Sequence, residues 1–298
     1  MKNSLLNYII AFVAVLISVS LGILTGIDEV RNGIILSFII HWLLFIPAYV
    51  LKTEKFYDLT GTISYISIVL YVLLSSTDGI INFGNIIVSS LIIIWTLRLG
   101  TFLFIRIKKA GEDKRFREIK KSFSWFLMAF TVSGMWVSIC AICALTGISN
   151  GIELTSVTYI GIVIFIIGFA VEIISDNQKT NFRKIEDNKD KFITTGLWKY
   201  SRHPNYLGEI ILWTGVAIIS YSSLEVYQLF TLISPIFTYL LLVNVSGINL
   251  LEKSGEKKWG HLNDYREYQE KKNSKIILVS ITLYIYKKFY KYRVFNIF

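Results

Sequence analysis

Five residues able to do chemistry crowd into one short stretch, GLWKYSRHPNYLGE at positions 196–209: Arg202, His203, Asn205, Tyr206 and Glu209. Pro204 fits the first turn of a helix, where its missing N–H costs nothing, so a helix is expected to start there. Asn205 and Glu209 then stand i,i+4 on one face, with Trp213 a turn further along. The free N–H groups of a helix N-terminus favour anions, and Lys199, Arg202 and His203 stand beside this one. The chemistry that suits is phosphate binding at the helix mouth, with Asn205 and Glu209 a turn deeper to read an amide or hydroxyl. The same residues equally suit an interfacial cap, in which cations snorkel to the membrane surface and aromatic rings anchor the helix.

A second set lies upstream in FAVEIISDNQKTNFRKIED. Glu172, Asp176, Lys179 and Arg183 follow at intervals of 4, 3 and 4. If one helix carries them all, they form a polar stripe on a single face. That stripe is either a solvated salt-bridge ladder or the cytosolic continuation of a cavity wall. A third set is intramembrane. Arg98 lies well inside IIIWTLRLGTFLFIRI and needs a partner, whereas Arg106 can reach the interface. His41, mid-span, is expected to hydrogen-bond a neighbouring helix. Cys140 and Cys143 form a CxxC within an apolar run, without the exposure or the further ligands that a redox or metal site requires, and read as small core residues.

The elements that must position these groups are membrane helices. The chain has 298 residues, 53% of them hydrophobic and only 17% charged, and a mean hydropathy of +0.54. Its apolar runs are long enough to cross a hydrocarbon core of roughly 30 Å. Eight are expected: Leu5–Ile27, Ile34–Leu51, Gly61–Ser76, Ile86–Ile105, Phe123–Gly147, Val157–Ile174, Tyr206–Ser222 and Val226–Ile248, of which the third and seventh are short. The first is too long for a signal peptide and has no small-residue cleavage site after it. The fold class is therefore all-α, a polytopic integral membrane bundle with a cavity facing the cytosol. A single integral domain is expected over residues 1–275, followed by a basic aromatic tail at 276–298.

The net charge of +10 is uneven. Arg106–Lys121 holds eight Lys/Arg, Lys179–Arg202 seven, and the stretch from Lys253 onward eleven, whereas Asn150–Ser156 and Tyr221–Glu225 hold none. Positive loops stay cytoplasmic, which places both termini in the cytoplasm. Topology and attraction to anionic membrane lipids account for this charge without nucleic acid.

Taken with the upstream WTLRLGTFLFIRIKKAGEDKRF, the stretch GLWKYSRHPNYLGEIILW resembles the bacterial membrane relatives of the steroid 5α-reductases. The resemblance runs from about residue 55 to 272. Its RHPxYxG core also occurs in isoprenylcysteine and phospholipid methyltransferases, which use S-adenosylmethionine. The resemblance implies a bacterial inner-membrane enzyme that passes hydride from NADPH to an electron-poor double bond of a lipid-like substrate. It further implies that Asn205 and Glu209 meet the nicotinamide end and that Asp176 and Arg183 hold the cofactor. Arg98, Arg106, Arg202, His203, Tyr206 and Glu252 are further candidates for cofactor contact. The aromatic residue aligned with the family's catalytic tyrosine is Trp95, which lacks a phenolic proton, so Asp58 in KFYDLTG is the candidate acid. The contacts that the steroid enzymes make near their C-termini are not matched; Glu252, Lys258, His261 and Tyr265 stand in that region instead. Two other readings stay open: methyl transfer, with Glu209 or Glu252 holding the amino group of S-adenosylmethionine, and a lipid-binding membrane protein without catalysis.

Overall fold

The computed structural model describes residues 4–75, 82–245 and 247–271; the tail expected at 276–298 lies outside them. Among the described residues the chain is helical throughout, without strands. The main helices are α1 (Ser4–Leu24), α2 (Asp28–Val50), α3 (Tyr57–Ser75), α4 (Phe83–Ala110), α5 (Phe123–Asn150), α6 (Ser156–Lys184), α7 (Pro204–Tyr221), α8 (Ile233–Leu240), α9 (Ile248–Trp259) and α10 (Asn263–Lys271). A backbone in hydrocarbon must satisfy its own N–H and C=O groups, and the helix does so within one segment. Seven helical stretches are long and apolar enough to cross a membrane, so the protein is an integral membrane protein.

Two expectations about the spans change. α7 begins at Pro204 as expected, yet it is not among the seven, because Pro204, Asn205 and Glu209 make its first half too polar. The span expected at Val226–Ile248 is not one continuous α-helix. It is a 3-10 stretch (Val226–Leu232), then α8, then a π-turn (Leu241–Val245), before α9 begins. In contrast, α6 continues past its apolar run to Lys184, so Glu172, Asp176, Lys179 and Arg183 do share one helix.

The described chain divides into two compact units. The first comprises the described parts of residues 1–162 and 216–237. Its centre is α5, which packs against α1, α2, α3 and α4 and is buried on every side from Val137 to Ile148. Close helix approach here rests on small residues. A Cβ on Gly100 of α4 would overlap Thr62 of α3, and one on Gly134 of α5 would stand 3.0 Å from Phe38 of α2. His41 is fully buried and joins helices, as expected. Its Nδ1 donates to the Ser37 carbonyl (2.7 Å) and its Nε2 lies 3.2 Å from Ser133 Oγ. Cys140 and Cys143 are buried free thiols in the same core.

The second unit comprises the described parts of residues 163–215 and 238–298. It holds most of α6 and α7 together with α9 and α10. α6 and α7 cross at Gly168 and Gly208, where the backbones touch. A Cβ on Gly168 would lie 2.4 Å from the Leu212 nitrogen, and one on Gly208 would lie 2.6 Å from both the Glu172 nitrogen and the Gly168 oxygen.

Candidate functional site

In the second unit, the Gly168–Gly208 crossing sets the register of the two polar helices. It brings Glu209 of α7 within electrostatic reach of Glu172 and Asp176 of α6, and all three carboxylates are buried. Along the α6 stripe, exposure rises from buried Glu172 and Asp176, through half-buried Lys179, to exposed Arg183. The stripe therefore runs from the interior to solvent, and its first half is not a solvated ladder.

The chain reaches the mouth of α7 through a loop pinned onto α6. Gln178 Oε1 accepts from the Leu197 N–H (2.9 Å), and Trp198 Nε1 donates to the Ser175 carbonyl (3.1 Å). The Lys179 ammonium sits 4.5 Å from the Trp198 ring centre. Gly196 takes a φ of +60° against Gln178, where a Cβ would stand 2.4 Å from the amide; only glycine enters that conformation without strain. From the other side, Tyr268 of α10 donates its hydroxyl to the Trp198 carbonyl (2.9 Å), and burial pushes that phenol up to about 12. Phe192 packs against Trp259, Tyr265 and Tyr268.

At the mouth itself, Glu252 of α9 holds two residues of the RHP motif. Arg202 Nη1 donates to its Oε2 at 2.9 Å, and His203 Nε2 lies 2.6 Å from its Oε1. Gln269 of α10 adds a longer bond to Oε2 (3.4 Å). Charge-assisted bonds of this kind are short and strong. The His203 ring stacks on Tyr206, with centroids 5.9 Å apart and planes 17° apart. Burial draws the His203 imidazole below its ordinary value, and Glu252 only partly offsets this. Arg202 also lines an open polar hollow of about 450 Å³, shared with Glu256, Arg266, Gln269 and Glu270.

Seven sequence candidates thus gather in the second unit: Asp176, Arg202, His203, Asn205, Tyr206, Glu209 and Glu252. Arg183 stands at the exposed end of the stripe. Lys199 is exposed on the loop, and His261 is exposed as well. Lys258 is engaged with the Lys189 carbonyl and Asp190. The sequence reading does not identify the roles of Gly168, Gly208, Gln178 and Gln269; Gly168 stands four residues before Glu172 and Gly208 immediately before Glu209, spacings that alone do not mark a helix crossing.

The remaining candidates lie in the first unit. Trp95 of α4 is buried edge-on against Tyr65 of α3, with centroids 5.3 Å apart. Arg98 and Arg106 both stack over Phe102, at 5.1 and 5.8 Å. Asp58, in the first turn of α3, is within electrostatic reach of Arg115 and Arg106. Among the described residues, no group of three or more His, Cys, Asp or Glu could hold a metal ion.

The family described as a protein of unknown function, DUF1295, matches residues 44–272. The chain belongs to that family. It is also similar to two curated relatives, the 3-oxo-5-alpha-steroid 4-dehydrogenase 1 of Mus musculus and that of Rattus norvegicus. Each is 36% identical over 73 residues, which is 24% of this chain and 29% or 28% of the relative. The matched stretch therefore spans under a third of those proteins' length. No solved structure matches. The family assignment and the weak likeness to steroid 5α-reductases agree with the resemblance read from the sequence.

Proposed function

We propose that the protein is an NADPH-dependent reductase that saturates an electron-poor double bond of a lipid-like substrate drawn from the bilayer. The observation that carries this reading is the mouth of α7. Arg202 Nε and His203 Nδ1 are buried there without hydrogen-bond partners, beside first-turn N–H groups that lack intrahelical acceptors. An unsatisfied Arg202 Nε–H on a fixed cation fits an anionic phosphate, and His203 Nδ1 joins it once protonated. The likeness to 3-oxo-5-alpha-steroid 4-dehydrogenases, whose name states a redox reaction, supports hydride rather than methyl chemistry.

In this reading NADPH supplies the hydride that adds to the substrate's β-carbon, while a proton from the protein or water completes the α-carbon. Arg202 and His203 bind phosphate oxygens. Asn205 and Glu209, a turn deeper, orient an amide. Asp176 and Arg183 hold ribose hydroxyls or the outer phosphate, with Tyr206 and Glu252 fixing the mouth from behind. With α7 crossing the bilayer as an eighth span, both termini and the basic loops face the cytoplasm, where NADPH is available.

One observation favours the second reading. Glu172, Asp176 and Glu209 are buried together, and such a group would suit the sulfonium of S-adenosylmethionine. Titrating the detergent-purified protein with each cofactor separates the two. The reductase reading expects saturable NADPH binding that weakens as salt screens the cationic mouth over roughly 8–10 Å. It also expects Glu209→Gln to bind NADPH more weakly at unchanged folded yield. Salt-insensitive binding of S-adenosylmethionine without NADPH binding would overturn it, and binding of neither would leave a lipid-binding protein.

A further inference from the structure

His203 is the residue from which α7 departs; its carbonyl accepts the Leu207 N–H at 3.1 Å. Its ring is buried, with Nε2 engaged by Glu252 and Nδ1 without a partner. A carboxylate can only accept, so Nε2 carries the hydrogen and Nδ1 of the neutral ring presents a bare lone pair. Arg202 repeats the arrangement: Nη1 is fixed by the same carboxylate, while Nε is buried and unbonded. Glu252 thus orients two side chains and leaves one nitrogen of each for something else.

The groups facing this ring come from four elements. Glu252 of α9 favours a proton on it, whereas Lys179 of α6 and Arg202 of the loop oppose one, as does burial. Tyr206 of α7 covers one ring face. Burial and the two cations outweigh Glu252, so the ring is held below its ordinary value and is neutral near neutral pH. A phosphate arriving at Arg202 reverses the balance in two ways. It supplies the missing countercharge, and its oxygens can only accept, so they repel a lone pair and require a hydrogen on Nδ1.

We infer that the mouth of α7 is a proton-coupled phosphate site: filling it adds a proton to His203 Nδ1, which then donates to the bound phosphate alongside Arg202 Nε. The inference rests on the nucleotide reading for its physiological ligand, but a simpler anion tests it separately. The sign is fixed by linkage. Because the anion raises the proton affinity of His203, anion binding tightens as pH falls. The slope approaches about tenfold per pH unit between the bound-state and free-state titration points and flattens below the latter.

The test is calorimetric titration of the full-length protein in detergent at neutral pH, in two buffers of different ionisation enthalpy. The probes are NADH and, separately, inorganic sulfate, neither of which has a phosphate that titrates near neutrality. The expected result is uptake of up to one proton per bound anion, with affinity rising from pH 8 to 6 at a slope approaching about tenfold per unit. His203→Gln keeps a donor for Glu252 but cannot take the second proton, so uptake should vanish and the pH profile should flatten. If that variant does not fold, the proton count of the wild-type protein decides alone. Sulfate binding with proton uptake, but without binding of NADH or of NADPH in a parallel titration, supports the site and removes the NADPH reading. Nucleotide binding without proton uptake overturns the inference and leaves that reading intact. Binding of neither sulfate nor either nucleotide overturns both.

Discussion

The crossing of α6 and α7 yields a quantitative expectation. Replacing Gly208 by Ala would place a Cβ 2.6 Å from two backbone atoms, the Glu172 nitrogen and the Gly168 oxygen, and 3.0 Å from the Glu172 Cα. Ordinary van der Waals contact for such an atom begins near 3.4 Å, so the helices must part by about 0.8 Å, the difference between 3.4 and 2.6. Backbone cannot rotate away as a side-chain tip does, and interiors are packed too closely to absorb the shift. Overpacking of this kind costs about 1–3 kcal/mol. In water, the better helix propensity of alanine would return up to about 1 kcal/mol. Membrane helices stay helical when they separate, so little of that gain is expected here. The net expectation is a loss of about 2 kcal/mol, together with weakened ligand binding, because the same contact sets Glu172 against Glu209. Gly61→Ala is the control: it lies in α3 and its Cβ would meet nothing within 4 Å, so it should be neutral or slightly stabilising. The assay is thermal denaturation of both variants in detergent beside a binding titration. A Gly208→Ala protein as stable as Gly61→Ala would refute the packing argument.

Two further expectations concern the basic loop and the topology. Glu54 is buried between α2 and α3, where its Oε1 accepts from the Asp113 N–H (2.8 Å) and its Oε2 meets Lys120 Nζ (2.6 Å). Burial pushes this carboxyl up, but Lys120 and the Asp113 N–H outweigh burial and hold it below its ordinary value. Its stabilisation is therefore present above the unfolded value near 4.3 and lost as pH falls through the lower folded one. Glu54→Gln should cost about 1–3 kcal/mol at pH 7, and a pH series of melting curves should show the difference closing in acid; a constant difference would contradict the pairing. A reporter fused after Asn150, where α5 ends in a loop without Lys or Arg, should behave as external. Cytoplasmic behaviour there would reverse the assigned orientation.

Much of this protein is written in local stretches of sequence. Hydrocarbon excludes unpaired backbone and unpaired charge, so the lengths of the apolar runs set most of α1 to α6, and the Lys/Arg bias sets the expected orientation. Pro204 announces the start of α7, and the spacing of Glu172, Asp176, Lys179 and Arg183 announces one helical face. These constraints act within one helix, within a window that the sequence displays directly. The tertiary structure decided the rest. Nothing in RHPNYLGE indicates that Glu252 will bind both Arg202 and His203 and leave one nitrogen of each open. Nothing in the run from Val226 to Ile248 marks where the α-helix gives way to a π-turn. Gly168 and Gly208 look like ordinary helix glycines until their backbones meet and bring Glu209 beside Glu172 and Asp176. Such pairings depend on which helix surfaces fit one another across long separations in the chain. Local hydropathy and propensity carry no information about that fit, so the site's candidates were legible in the sequence while their arrangement was not.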